Sequence, residues 1–319
     1  MLSLRSAVVA VMVVCSFAVL ADTAAQAAAL VYEGFDYTEG NLNGKGGTTE
    51  VGLAGTWSTG QRGGDIMVTT PGLDWGDLAV SGEMGTRGGV GGEAGYHARA
   101  TRQITSGLSN AGLLADGSTL WFSFIADFTG QNITNTVYHL ALGTDDLYWT
   151  DPYVYGDWNT MANSGDGIGV TLPRDWYHET DGSWTGRAYA RGVYWNDDGE
   201  VPANSRGEMH QSGNGTLALN STDEARALIV GKADWGSTET ITLYAPDTSL
   251  NLAAPVISLT TTMDLDNENF DTLSFLFKNG PEIDEIRFGA TAGDVMPAGV
   301  VIPEPCTSVI WALGLLALG

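Results

Sequence analysis

The interior of this sequence contains no cysteine. Only Cys15 and Cys306 occur among 319 residues, one near each end. The body therefore has no internal disulfide, no thiolate-bound zinc and no thiol nucleophile. Basic residues are also scarce: 14 Lys and Arg stand against 38 Asp and Glu, a formal charge of −24. That balance argues against a nucleic-acid partner, since no net positive field neutralises phosphates. It argues equally against docking on an anionic membrane through a basic patch. The four histidines, His97, His139, His178 and His210, show no metal-binding spacing. No Gly-x-Ser-x-Gly nucleophile elbow occurs. No glycine-rich loop joins a strand to a long amphipathic helix, which disfavours nucleotide-binding α/β folds.

What the sequence does hold is glycine, 43 residues, and hydrophobic residues at 43%. The apolar content is too high for a disordered acidic chain. Short apolar or alternating runs recur between Gly, Asp and Asn clusters, the pattern of strands. They fall at 30–35, 52–57, 66–68, 98–104, 119–128, 137–142, 168–172, 188–195, 227–233, 240–244, 256–263, 272–277 and 283–289. A capping box at Ser221 and Glu224 predicts one short helical turn over Ser221–Arg226. Gly82–Gly95 reads as a long surface loop. Many strands with few helices predict an all-β, antiparallel two-sheet sandwich.

The two ends carry targeting signals. Arg5, an apolar stretch over Ala7–Leu20 and the Ala-x-Ala sites around Ala25–Ala29 make a secretory signal peptide over 1–27. Cleavage is expected to leave Ala28 or Leu30 at the new terminus. Val14 precedes Cys15 where a lipoprotein site needs a small residue, so lipidation is not expected. At the other end, Pro303-Glu304-Pro305 is followed by an apolar segment to Gly319. The prolines hold the chain extended. The thirteen residues from Thr307 are fewer than the roughly 20 that span a bilayer. This tail, residues 297–319, resembles the PEP-CTERM sorting signal of exported bacterial proteins. The resemblance implies export, transient inner-membrane anchoring, processing by an exosortase-type transpeptidase, and release to the cell surface or the extracellular matrix. Members of that family normally end in a longer apolar helix and an Arg-rich cluster, which the sequence to Gly319 lacks.

The body, residues 28–296, resembles the concanavalin A-like or laminin-G-like jelly roll. Three segments carry the resemblance: Tyr32-Glu33-Gly34-Phe35-Asp36-Tyr37, then Ala227–Trp235 with Thr240–Tyr244, then Phe270–Phe275 with Ile283–Gly289.

Three clusters are candidates for chemistry. Glu282, Asp284 and Glu285 invite comparison with laminarinase-type hydrolases of this fold, which use carboxylates at i, i+2 and i+4 on one strand face. Ile286 occupies the third position, and alternation sends Glu285 to the opposite face. The motif is therefore incomplete, and no catalytic residue is assigned. Asp264, Asp266 and Glu268 lie in an oxygen-rich loop that would suit a hard cation, with Ca²⁺ as the candidate. The same pattern is also that of a polar turn. Between Tyr148 and Trp195 stand 11 of the 30 aromatic residues. Trp149, Trp158, Trp176 and Trp184 lie there among Asp, Asn and Gly, where rings can stack on sugar faces. The alternative is that they brace loops or the core, as expected for Tyr189 and Trp195.

Together these features predict an exported, non-enzymatic surface or matrix protein that binds extracellular polysaccharide. The alternatives are a purely structural matrix protein and a glycan hydrolase or lyase.

Overall fold

The structure, a computed structural model, describes residues 29–46, 50–62, 66–80, 85–88, 97–127, 138–144, 148–149, 161–162, 165–172, 189–195, 210–213, 215–217, 226–278 and 282–298. Residues 1–28 and 299–319, which the sequence reading assigns to targeting and which include Pro303, Glu304 and Pro305, lie outside these residues.

The chain is an antiparallel two-sheet β-sandwich of jelly-roll architecture. Its strands in order are β1 (Val31–Glu33), β2 (Gly40–Asn41), β3 (Leu53–Arg62), β4 (Ile66–Thr69), β5 (Gly85–Gly88), β6 (His97–Ile104) and β7 (Thr119–Asp127). There follow β8 (Tyr138–Gly143), β9 (Tyr148–Trp149), β10 (Met161–Ala162), β11 (Gly167–Thr171), β12 (Tyr189–Trp195), β13 (His210–Gln211) and β14 (Gly215–Thr216). The last are β15 (Arg226–Asp234), β16 (Thr240–Tyr244), β17 (Ile257–Thr260), β18 (Thr272–Lys278) and β19 (Glu282–Gly289). Sheet A runs β17-β16-β15-β7-β19-β5-β4-β2, with β1 also on β19. Sheet B runs β13-β12-β11-β8-β18-β6-β3, with β14 also on β12. The expected loop at Gly82–Gly95 is corrected: Gly85–Gly88 is a strand that pairs with both β4 and β19. Glycine carries no side chain to show a period, so the pairing partners alone define it. The helical turn expected over Ser221–Arg226 lies outside the described residues, except for Arg226, which opens β15.

Period-two alternation explains the core. On β7, Leu120, Phe122, Phe124 and Ala126 point inward; on β8, Leu140 and Leu142; on β11, Ile168 and Val170; on β18, Leu273 and Phe275. All belong to one buried cluster between the sheets. A second, smaller cluster covers the outer face of sheet A. There Ile125, Leu228 and Val230 pack under Leu73, Trp75, Leu78 and Val295. The segment 71–80 is thus a strap across that face. Trp75 Nε1 donates to the Asp247 carbonyl (3.1 Å), and Asp77 N donates to Thr248 O (2.8 Å). Among the described residues, no helix is long and apolar enough to cross a membrane.

Candidate functional site

The carboxylates of β19 lie on sheet A, and a bulge rearranges them. Asp284 pairs with Ile125, but Arg287 pairs with Ser123, so β19 carries one extra residue. Glu285 absorbs it at φ 57°. Alternation resets there: Ile283 and Ile286, three apart, both enter the core. Asp284, Glu285 and Arg287 all lie on the outer face, beneath the strap. This corrects the expectation that Glu285 faces away from Asp284.

Asp284 Oδ2 accepts from Leu73 N (2.9 Å), and Oδ1 accepts from Glu285 N (2.9 Å). Glu285 accepts from Arg287 and from the Tyr32 hydroxyl (3.1 Å), and Arg287 also donates to Ala79 O (2.5 Å). Both carboxylates are fully buried and locked in local bonds. No substrate can reach such a pair.

Burial, then the adjacent Glu285, hold the Asp284 carboxyl well above the usual range, against the two N–H bonds it accepts. Burial likewise raises Glu33 and Glu239. A folded-state pKa above the unfolded one gives stability that is full below the unfolded value and lost as pH rises through the folded one. Between about pH 5 and 8, stability to urea should therefore fall as pH rises, and Asp284→Asn should flatten that slope. Denaturation midpoints at several pH values test this. The slope is the readout, because an amide cannot accept both N–H bonds and lowers stability at acid pH as well.

The Asp264–Asn269 loop does not gather its acids. Asp264, Asp266 and Glu268 are all exposed, and residues 267–269 form a 3-10 turn. Asn267 is buried and donates to Leu114 O (2.5 Å); Asn269 Nδ2 donates to Asp266 Oδ1 (2.8 Å); Asp266 N donates to Asp166 Oδ2 (2.7 Å). These are the bonds of a braced turn. Among the described residues, no group of three His, Cys, Asp or Glu side chains is placed to hold a metal ion.

Trp158, Trp176 and Trp184 lie outside the described residues; Trp149 is in β9, opposite Met161 of β10. Strand order nevertheless fixes where their connections start. Gly143, Gly167 and Trp195 meet at one end of sheet B. The connection 144–166, with Trp149 and Trp158, leaves from that end, which is also the end of the Asp264–Asn269 loop. The connection 172–188, with Trp176 and Trp184, leaves from the opposite end.

Sequence reasoning missed what lies between them. The outer face of sheet B is small and polar, and most of it is buried: Thr101, Thr272, Ser274, Ala141, His139, Thr171, Val193 and Trp195 are each 6% exposed or less. One cross-strand row runs Gln103, Thr272, Gly143, Gly167, Trp195; the next runs Thr101, Ser274, Ala141, Gly169, Val193; the third runs Arg99, Leu276, His139, Thr171, Arg191. In the third row His139 Nδ1 and Thr171 Oγ1 are hydrogen-bonded at 2.7 Å, buried. Trp195 is buried, as expected from its strand, and lies over the glycines: a Cβ on Gly167 would stand 2.0 Å from its ring. The signal available in the sequence was the outward half of each alternation, Gly-x-Gly-x-Thr in β11 and Thr-x-Ser in β18.

No family model matches the sequence, and no curated protein matches it. Several solved structures resemble it in overall β architecture. LamAcat from Zobellia galactanivorans has a TM-score of 0.36 at 13% identity, covering 83% of this chain and 97% of that one. The CBM2 module of the Lactobacillus casei BL23 phage J-1 evolved Dit has a TM-score of 0.32 at 9% identity, covering 60% and 68%. The binding domain of botulinum neurotoxin serotype C1 has a TM-score of 0.32 at 11% identity, covering 75% of this chain but only 46% of that one.

Proposed function

We propose that this is an exported surface or matrix protein whose sandwich binds extracellular polysaccharide without cleaving it. The observation that carries the reading is the aromatic-rich stretch Tyr148–Trp195, whose connections start from both ends of sheet B. The outer face between those ends is small and polar but mostly buried, so its hydroxyls and glycines shape the sheet rather than meet a ligand directly. Tryptophans set among Asp, Asn and Gly in the sequence are the residue types of a sugar site. Binding rather than turnover is favoured because glycoside cleavage needs two carboxyl groups facing the substrate. Among the described residues, the strand positions of this face carry none, and those of β19 are locked beneath the strap. The terminal segments support export, with transient anchoring in the inner membrane and an exosortase-type enzyme as processing partner.

The test is retention of the full-length protein on a panel of immobilised polysaccharides, with reducing ends assayed on the same samples. Retention without release is expected, weakened by Trp149→Ala or Trp176→Ala. Release of reducing ends would identify a hydrolase. Absence of retention on every polysaccharide would leave a purely structural matrix protein.

A further inference from the structure

We propose that the outer face of sheet A carries a second polysaccharide site, built on Trp121 and Tyr244, that takes a neutral glycan chain. It shares the glycan-binding reading but uses none of the residues of 148–195, so the two can fail separately.

The strap covers only part of that face, packing on Ile125, Leu228 and Val230. Beyond it the register leaves two outward cross-strand rows on β7, β15, β16 and β17. One runs Trp121, Lys232, Thr242, Ser258; the other runs Thr119, Asp234, Thr240, Thr260. Ser258 and Thr260, on the edge strand, are exposed, and Trp121 and Tyr244 are half-buried. On the β19 side the rows are bounded by the short helix Ala292–Val295: Gly289 pairs with Trp121, and a Cβ on Gly289 would stand 2.5 Å from Asp294 Cβ.

Trp121 and Tyr244 stand two inter-strand spacings apart, roughly 10 Å between backbones. Their ring centroids are nevertheless 5.9 Å apart, with planes 24° apart. The rings therefore lean together across β15, where they pack against the cluster that holds Val230. Their polar tips do something different. A buried Trp or Tyr usually finds a partner for its N–H or O–H. Trp57 donates to Glu33 (2.9 Å), Trp75 to the Asp247 carbonyl (3.1 Å) and Trp235 to the Leu113 carbonyl (2.6 Å). Among the described residues, nothing accepts from Trp121 Nε1 and nothing bonds the Tyr244 hydroxyl. Two uncommitted donors at a part-exposed ring pair are what sugar hydroxyls need beside a stacked sugar face.

The polar side chains around the rings are already fixed. Lys232 Nζ donates to Asp234 Oδ2 (2.6 Å), and Thr119 Oγ1 donates to Asp234 Oδ1 (2.7 Å). Thr240 and Thr260 share a hydrogen bond at 3.1 Å, and Ser258 Oγ donates to Thr242 Oγ1 (3.3 Å). Side chains ordered before binding lose less entropy on binding.

Charge selects the occupant. Lys232 and Asp234 are the charged residues of the two rows, and they cancel as an ion pair. A face without net charge exerts no steering pull on an anionic polymer. Its hydroxyl rows are also too polar for the apolar centre of a protein–protein interface. Rings beside hydroxyls match an uncharged sugar chain.

The test is affinity electrophoresis of the full-length protein in three neutral glycans, laminarin, hydroxyethylcellulose and galactomannan, with polygalacturonate as the anionic comparison. Retardation by a neutral glycan, stronger than by polygalacturonate, is expected. Trp149→Ala/Trp176→Ala should leave part of it, and adding Trp121→Ala should weaken that part at least tenfold. If the Trp121 variant loses the wild-type circular dichroism, Tyr244→Phe, which removes only a hydroxyl, carries the test, with at least a threefold loss expected. Remaining retardation indifferent to these changes, or none remaining once Trp149 and Trp176 are gone, would overturn the sheet A site and leave the 148–195 reading standing. Loss on Trp121→Ala with the 148–195 changes silent would uphold the sheet A site and remove the other. Stronger retardation by polygalacturonate would overturn the neutral class. A dimer in sedimentation that Trp121→Ala dissociates would give the face to a second copy of the chain instead. No retardation by any glycan would remove both readings.

Discussion

Replacing Arg102 by leucine should lower the unfolding free energy by about 3–5 kcal/mol, the cost of leaving a buried charge without its partner. Glu33 has no solvent exposure. Its Oε1 accepts from Phe35 N (2.8 Å); its Oε2 accepts from Tyr37 Oη (2.7 Å), Trp57 Nε1 (2.9 Å) and Arg102 Nη1 (3.0 Å). Arg102 also donates to the Gly55 carbonyl (3.0 Å) and to Tyr37 Oη (2.8 Å). Its guanidinium carbon lies 5.9 Å from the Trp57 ring centroid. Burial, then the Glu33 charge, push Tyr37 up, so its hydroxyl remains a donor throughout the physiological range. The network ties β1 of sheet A to β3 and β6 of sheet B and closes one margin of the sandwich. Without Arg102 the carboxylate keeps three neutral donors but loses its counter-charge. Urea denaturation checks the size, and Glu33→Gln in the Arg102→Leu background should recover part of the loss. A single-mutant cost below about 1 kcal/mol would mean that water reaches the site and the network is peripheral.

Trp75→Ala should also cost about 3–5 kcal/mol, through loss of a large buried ring. Trp75 is 2% exposed and anchors the strap on Ile125, Leu228 and Val230. The same segment supplies Leu73 N to Asp284 and Ala79 O to Arg287. Removing the ring therefore loosens the lid over two buried carboxylates as well. The denaturation midpoint should fall, and protease should cut within 71–80 before the sandwich unfolds. If cutting accelerates while the midpoint barely moves, the strap opens independently of the sheets.

Alternation made the larger strands legible. Thr119–Phe128 and Thr240–Tyr244 match β7 and β15's neighbour β16 to within a residue. Val256–Met263 shortens to Ile257–Thr260; beyond it Thr261 N still donates to the Glu239 carbonyl (2.8 Å), while its hydroxyl bonds the Glu239 carboxylate and the Met263 carbonyl. Two-residue strands such as β2 and β13 have no period to read. The bulge at Glu285 was hidden because an inserted residue looks like any other until its partner strand is known. The tryptophans of 148–195 are neighbours in sequence, but the antiparallel order of β8, β11 and β12 makes the two connections that carry them start from opposite ends of sheet B.

The first and last strands of the sandwich meet: β1 pairs with β19. Leu30 N donates to Phe288 O where β1 begins, and after Gly289 the chain folds back over sheet A. There Ser123 Oγ donates to Val295 O (2.5 Å) and Ala79 N to Pro297 O (2.8 Å). Tension applied between the segments before Leu30 and after Pro297 would first peel 290–297 from its staples. It would then unzip β1 from β19 one bond at a time. The load path runs first through sheet A and reaches sheet B only where Glu33 of β1 holds Trp57 and Arg102, so that buried network is where a molecule pulled by its ends would pass force from one sheet to the other.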